Sequence, residues 1–118
     1  MVGTRFLVWL NDERARIVEL TDGVSRAIRV ESKAVVDGWD SDQLSEMYLF
    51  DEIADVVEEG MEIVLSSDGH QRYDLRDYLS RHRPSIASRV IGLEKIADET
   101  DTMLRTFART YFRLTERS

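Results

Sequence analysis

Three aspartates, Asp12, Asp68 and Asp98, each follow an apolar run along the chain. Carboxylates gathered at one edge of a sheet can hold Mg²⁺ for cleavage of a phosphodiester. The three aspartates are therefore the candidate metal ligands of a metal-dependent nuclease or hydrolase. The same residue types also fit structural roles, with Asp68 in a turn and Asp98 or Thr100 capping a helix. We favour the structural roles, and we predict no catalytic residue, no metal and no cofactor.

A row of arginines is the second candidate site. Arg105, Arg109 and Arg113 are spaced four residues apart, so a helix places them on one face. Guanidinium groups in such a row could bind RNA or an acidic protein. A solvated helix surface with no binding role would show the same pattern. We predict a binding surface for a protein or RNA partner at these three residues.

Other site chemistries have little support in the sequence. The chain has no cysteine, which excludes disulfides, zinc-thiolate sites and thiol catalysis. Its two histidines are too few for a histidine metal site. No Gly-x-Ser-x-Gly elbow, phosphate-binding glycine loop or dinucleotide fingerprint occurs.

The elements that must position these residues follow from hydrophobic periodicity. Apolar or alternating runs at 6–10, 15–20 and 26–31 predict three antiparallel strands, with a hairpin turn at Asp22-Gly23. Beyond residue 48 the pattern alternates between helical spacing and short apolar runs. The predicted order is β-β-β-α-β-α-β-α, with the last helix from about Asp101 to Thr115.

This order predicts an α/β fold with a five-stranded mixed sheet and a ribonuclease H-like core. We expect one domain over residues 1–118, a length ordinary for a single domain. Nucleases of that fold need a carboxylate within the first strand, whereas residues 6–10 are entirely apolar. The periodicity also predicts a largely buried core made of Phe6, Val8, Leu10, Ile17, Ile28, Phe50, Ile53, Val57, Ile63, Leu65, Leu79, Ile91, Leu104, Phe107 and Tyr111.

Several short segments resemble a known family. The segments include Val8-Trp9, residues 15–17 and 50–54, residues 89–94, and residues 108–112. They are similar to those of small bacterial "translational machinery" or host-attachment-like proteins. That family is in turn similar to the middle domain of the archaeal and eukaryotic peptide-chain release factor. The resemblance covers most of the chain except roughly residues 25–47.

The chain departs from the family pattern at two turns. Asn11-Asp12 stands where Asp-His is usual, and Ser67-Asp68-Gly69 stands where Gly-Pro-Gly is usual. The Gly-Gly-Gln of the release factor is also absent, since the chain has no Gly-Gly pair. The resemblance therefore implies a fold and a link to translation, and it does not imply peptide release.

Charge divides the chain into two halves. Residues 1–69 carry 6 basic and 16 acidic side chains, whereas residues 70–118 carry 10 basic and 7 acidic ones. An anionic partner is expected to avoid the first half and approach the second. A homodimer is an alternative, in which the acidic segment around Asp51, Asp55 and Glu59 faces the arginines of a second copy. No apolar leader or membrane span stands out, so the expected location is cytoplasmic.

Overall fold

The sheet has five strands, in the order β3-β2-β1-β4-β5. The computed structural model describes residues 3–31, 42–97 and 100–116. Its strands are β1 (Arg5–Leu10), β2 (Arg14–Thr21), β3 (Val24–Glu31), β4 (Glu62–Ser67) and β5 (Val90–Lys95). Strands β1, β2 and β3 pair antiparallel, and β4 is parallel to both β1 and β5. The predicted five-stranded mixed sheet is confirmed.

The β2–β3 hairpin turns where the sequence predicts it. Asp22 and Gly23 both adopt positive φ, at 56° and 77°. Two such residues form the turn whose twist matches that of the flanking strands. Glycine meets this requirement without strain, and aspartate is among the few other residues that tolerate it. The first three strands are therefore positioned by local sequence.

Within the described ranges, four helices cover the sheet. They are α1 (Asp42–Val57), α2 (Gln71–His82), α3 (Pro84–Ala87) and α4 (Asp101–Glu116). The sequence did not predict α3. Proline in the sequence was expected to stop the preceding helix, and α2 does end at His82. Pro84 also opens α3, because proline fits the first turn of a helix, and Ile86 buries its side chain. No described helix is long and apolar enough to cross a membrane.

The two faces of the sheet carry separate cores. One face packs α1, α2 and α3 against Phe6, Val8 and Ile17, and α1 contributes Ile53 there. Among the described helices, only α4 packs on the other face. In that second core Leu7, Trp9, Val18 and Val64 of the sheet meet three side chains of α4, namely Leu104, Ala108 and Phe112.

One residue of the predicted core is exposed, and three others are only partly buried. Ile91 is 40% exposed, so its predicted burial is wrong. Its strand, β5, is at the edge of the sheet, where one side of the strand has no neighbour. Ile28, Phe107 and Tyr111 are only partly buried against the cores. The remaining predicted core residues are buried.

Candidate functional site

Two of the three candidate metal ligands lie at the edge of the sheet where β1 and β4 end. Because these strands are parallel neighbours, Asp12 and Asp68 share that edge, as expected. Both side chains are exposed, and Asp12 accepts a hydrogen bond from Nε2 of Gln71 at 2.8 Å. Asp98 lies outside the described residues. Across the described ranges, no group of three histidine, aspartate or glutamate side chains is arranged to hold a metal ion.

The turn after β1 is built by its own side chains. Oδ1 of Asn11 accepts the backbone N–H groups of Glu13 and Arg14 at 2.8 and 2.9 Å. This is an Asx-type turn, in which a short side chain replaces a backbone acceptor. The edge at β1 thus has a structural arrangement that needs no metal ion to form.

The loop after β4 is held by a buried arginine that sequence reasoning missed. Arg72 is only 9% exposed, and its Nη1 donates to the carbonyl oxygens of Ser67 and Gly69, at 3.2 and 2.7 Å. The Oγ of Ser67 in turn accepts the backbone N–H of Arg72 and donates to the Gly69 carbonyl. These bonds satisfy the carbonyl groups of Ser67 and Gly69, whereas the buried Nε of Arg72 has no hydrogen-bond partner among the described residues. No periodicity in the sequence distinguishes Arg72 from the exposed arginines around it.

The arginine row lies on α4, which the second core fixes against the sheet. Leu104, Ala108 and Phe112 are fully buried at i, i+4 and i+8. The indole Nε1 of Trp9 donates to the carbonyl of Ile96 at 2.8 Å and holds the chain just before the helix. Thr100 accepts the N–H of Met103 at 3.4 Å, so the predicted capping role of Thr100 is supported.

The three arginines differ in exposure and in their contacts. Arg105 is half-buried, and its buried Nε has no hydrogen-bond partner among the residues that the structure describes. Arg109 is exposed and donates from Nη2 to the hydroxyl of Ser25 on β3, at 3.0 Å. Arg113 is exposed. None of the three forms an ion pair with a carboxylate of the described ranges. Within those ranges, the row is therefore not a set of neutralised surface charges.

Two further arginines reach the same side of the molecule from the sheet. Arg16 and Arg29 are opposite each other on β2 and β3, where like charges repel. Both approach Asp101 at the start of α4, at 3.5 and 3.9 Å. The side chain of Arg29 stays 69% exposed. We call Arg29, Arg105, Arg109 and Arg113 the arginine surface; its member on β3 was not predicted.

Solved structures of other proteins share this architecture. No protein-family profile matches the chain, and no curated protein sequence matches it. Solved structures do match. The fold is shared with Pelota and an archaeal translation termination factor. The Archaeoglobus fulgidus Pelota structure aligns with a TM-score of 0.68 at 12% identity and covers 92% of this chain.

Two other structures give similar alignments. Thermoplasma acidophilum Pelota aligns with a TM-score of 0.62 at 19% identity over 87% of this chain. The archaeal termination factor aRF1 aligns with a TM-score of 0.56 at 9% identity over 97% of this chain. This chain covers only 31%, 30% and 39% of the A. fulgidus Pelota, T. acidophilum Pelota and aRF1 chains. The similarity to release-factor-like proteins inferred from short motifs thus appears in the fold.

Proposed function

We propose that this chain is a non-enzymatic binding module of the cytoplasm that associates with translation or the ribosome. It contacts a protein or RNA partner through the arginine surface and does not release peptides. The fold supports the link to translation, since its structural neighbours are named as Pelota and a translation termination factor. The missing Gly-Gly pair supports the absence of peptide release.

One observation supports the arginine surface as the binding site. Arg105, Arg109 and Arg113 form no ion pair within the described part of the chain, although three like charges lie along one face of the helix. Four residues along a helix advance about 6 Å. Guanidinium forks at that interval, exposed at Arg109 and Arg113 and half-buried at Arg105, offer repeated bidentate sites for phosphate or carboxylate groups. An anionic partner gains these contacts without displacing an ion pair seen in the structure.

The test is an affinity pull-down from bacterial lysate, with and without nuclease treatment. We expect a variant that carries Arg105→Gln, Arg109→Gln and Arg113→Gln to lose most of the partner material captured by the parent. The matched control carries Arg26→Gln, Arg76→Gln and Lys95→Gln, three exposed positions that remove the same charge elsewhere. The control should capture what the parent captures.

Nuclease treatment then separates the two kinds of partner. Loss of the captured proteins after treatment indicates that RNA bridges them, whereas unchanged capture indicates a protein partner. Equal capture by the parent and the arginine variant, with both folded by circular dichroism, would refute the proposed surface.

A further inference from the structure

A groove between α1 and α2 lies on the opposite face of the sheet from the arginine surface. Its volume is about 400 Å³. Helix α1 lines it with Met47 and Phe50. Helix α2 lines it with Asp74, Asp77, Tyr78, Arg81 and His82. The arginine surface contributes no residue to this groove.

Aromatic rings form a continuous wall of the groove. The centroid of Tyr78 lies 5.4 Å from that of Phe50 and 4.6 Å from that of His82. Met47, at the rim, is 45% exposed. Aromatic faces and an exposed methionine attract long side chains that are apolar along the stem and cationic at the tip.

Carboxylates surround this aromatic wall. Asp74 and Asp77 line the groove, with side chains 40% and 59% exposed; Asp74 contacts Nδ1 of His70, and Asp77 is 3.6 Å from Nη2 of Arg76. Asp51 accepts a 2.6 Å hydrogen bond from the hydroxyl of Tyr78, and Arg83 pairs with Asp51 and Asp55 at 3.6 and 2.8 Å. Helix α1, one wall of the groove, contains no lysine or arginine, so these four aspartates outnumber Arg76, Arg81 and Arg83 around the groove. The field around the groove is therefore negative.

We propose that this groove binds a lysine- or arginine-bearing segment of a protein partner. Charge complementarity selects the occupant, because the carboxylates attract the cationic tips while the aromatic wall packs the aliphatic stems. RNA is disfavoured by the same negative field. The site is independent of the proposed arginine surface, and each can fail without the other.

A second copy of this chain fits the groove less well than another protein. The arginine surface and the groove are on opposite faces of the sheet. If α4 of one copy entered the groove of a second copy, α4 of the second copy could not enter the groove of the first copy at the same time. Such contacts continue as an open chain of molecules instead of closing as a dimer.

The experiment uses a fluorescein-labelled peptide of eight residues in which arginine and leucine alternate. Its anisotropy is measured against the full chain at about 50 mM salt, where electrostatic contacts are only partly screened. We expect saturable binding that weakens at least about fivefold in the Asp74→Asn, Asp77→Asn variant, as loss of two charge contacts of about 0.5–1 kcal/mol each implies. Met47→Ser should also weaken binding, since it removes an apolar contact without changing charge.

The matched control is Glu58→Gln, Glu59→Gln, which removes two exposed carboxylates outside the groove lining. It should change the affinity less than twofold. Equal weakening by both double variants would show a general charge effect and overturn the proposal. So would an absence of saturable binding to the parent. The triple variant of Arg105, Arg109 and Arg113 should bind the peptide at least as well as the parent, which keeps this test separate from that of the proposed function.

Discussion

At the scale of single residues, Tyr78 shows how one contact joins two helices. Its hydroxyl donates to Asp51 across the gap between α2 and α1. The pKa of Tyr78 is raised to about 12. Burial is the largest cause, followed by the hydrogen bond to Asp51 and the negative charge of Asp51. The neutral phenol is thus favoured in the folded protein over the phenolate.

This shift predicts how stability depends on pH in alkaline solution. In the unfolded chain a tyrosine loses its proton near pH 10. The stabilisation from Tyr78 is therefore complete below about pH 10, and it is lost as the pH rises towards about 12. We expect the difference in Tm between the parent and Tyr78→Phe to shrink over that interval. A difference that stays constant from pH 8 to the alkaline limit of folding would contradict this account of the contact.

Arg72 shows what single-sequence reasoning cannot supply at this scale. Its burial depends on the carbonyl oxygens of Ser67 and Gly69, which meet it only when the loop after β4 has closed. The position of Arg29 could not be predicted for the same reason, because Arg29 joins the arginine surface through the pairing of β3 with β2. Composition and spacing do not encode contacts that arise from tertiary structure.

At the scale of elements, α4 was largely predictable. Its observed span, Asp101–Glu116, differs by one residue at the end from the sequence prediction. Its inner face was only partly predicted, since Leu104 was in the predicted core but Phe112 was not. Rotating the helix to bury Phe112 leaves Phe107 and Tyr111 at the margin of the core. The crossing angle of a helix on a sheet is set by packing, which periodicity does not determine.

The packing of α4 gives a direct stability prediction. Phe112 is 1% exposed, whereas Phe107 is only partly buried. Truncating a buried phenylalanine removes its transfer free energy and leaves a cavity, so Phe112→Ala should lower the free energy of unfolding by about 3–5 kcal/mol. The loss of unfolding free energy for Phe107→Ala should be smaller than that for Phe112→Ala by at least about 1 kcal/mol. Urea denaturation of both variants checks the order; an equal or reversed cost would mean that α4 packs in another rotation.

At the scale of the whole molecule, the helices α1 and α4, on opposite faces of the sheet, differ in charge. Helix α1, on the first face, contains no lysine or arginine, whereas α4, on the second, carries three arginines without an ion pair in the described ranges. The sequence predicted this contrast, because acidic and basic residues are concentrated in different halves. The topology then places α1 and α4 on opposite faces, whereas α2 and α3, which also belong to the second half, pack on the same face as α1. An anionic partner is thus directed to one face only.

Co-sedimentation with purified ribosomes over a series of salt concentrations tests the central claim most directly. We expect the parent chain to pellet with ribosomes at low salt and to dissociate as salt rises, because each neutralised phosphate on a single strand adds about −0.7 to the slope of log K against log salt. The variant carrying glutamine at Arg105, Arg109 and Arg113 should bind weakly, with a slope shallower by about 2, for three lost contacts. The control variant at Arg26, Arg76 and Lys95 should match the parent. A parent that does not pellet with ribosomes at low salt, or an arginine variant with unchanged affinity and slope, would contradict the account.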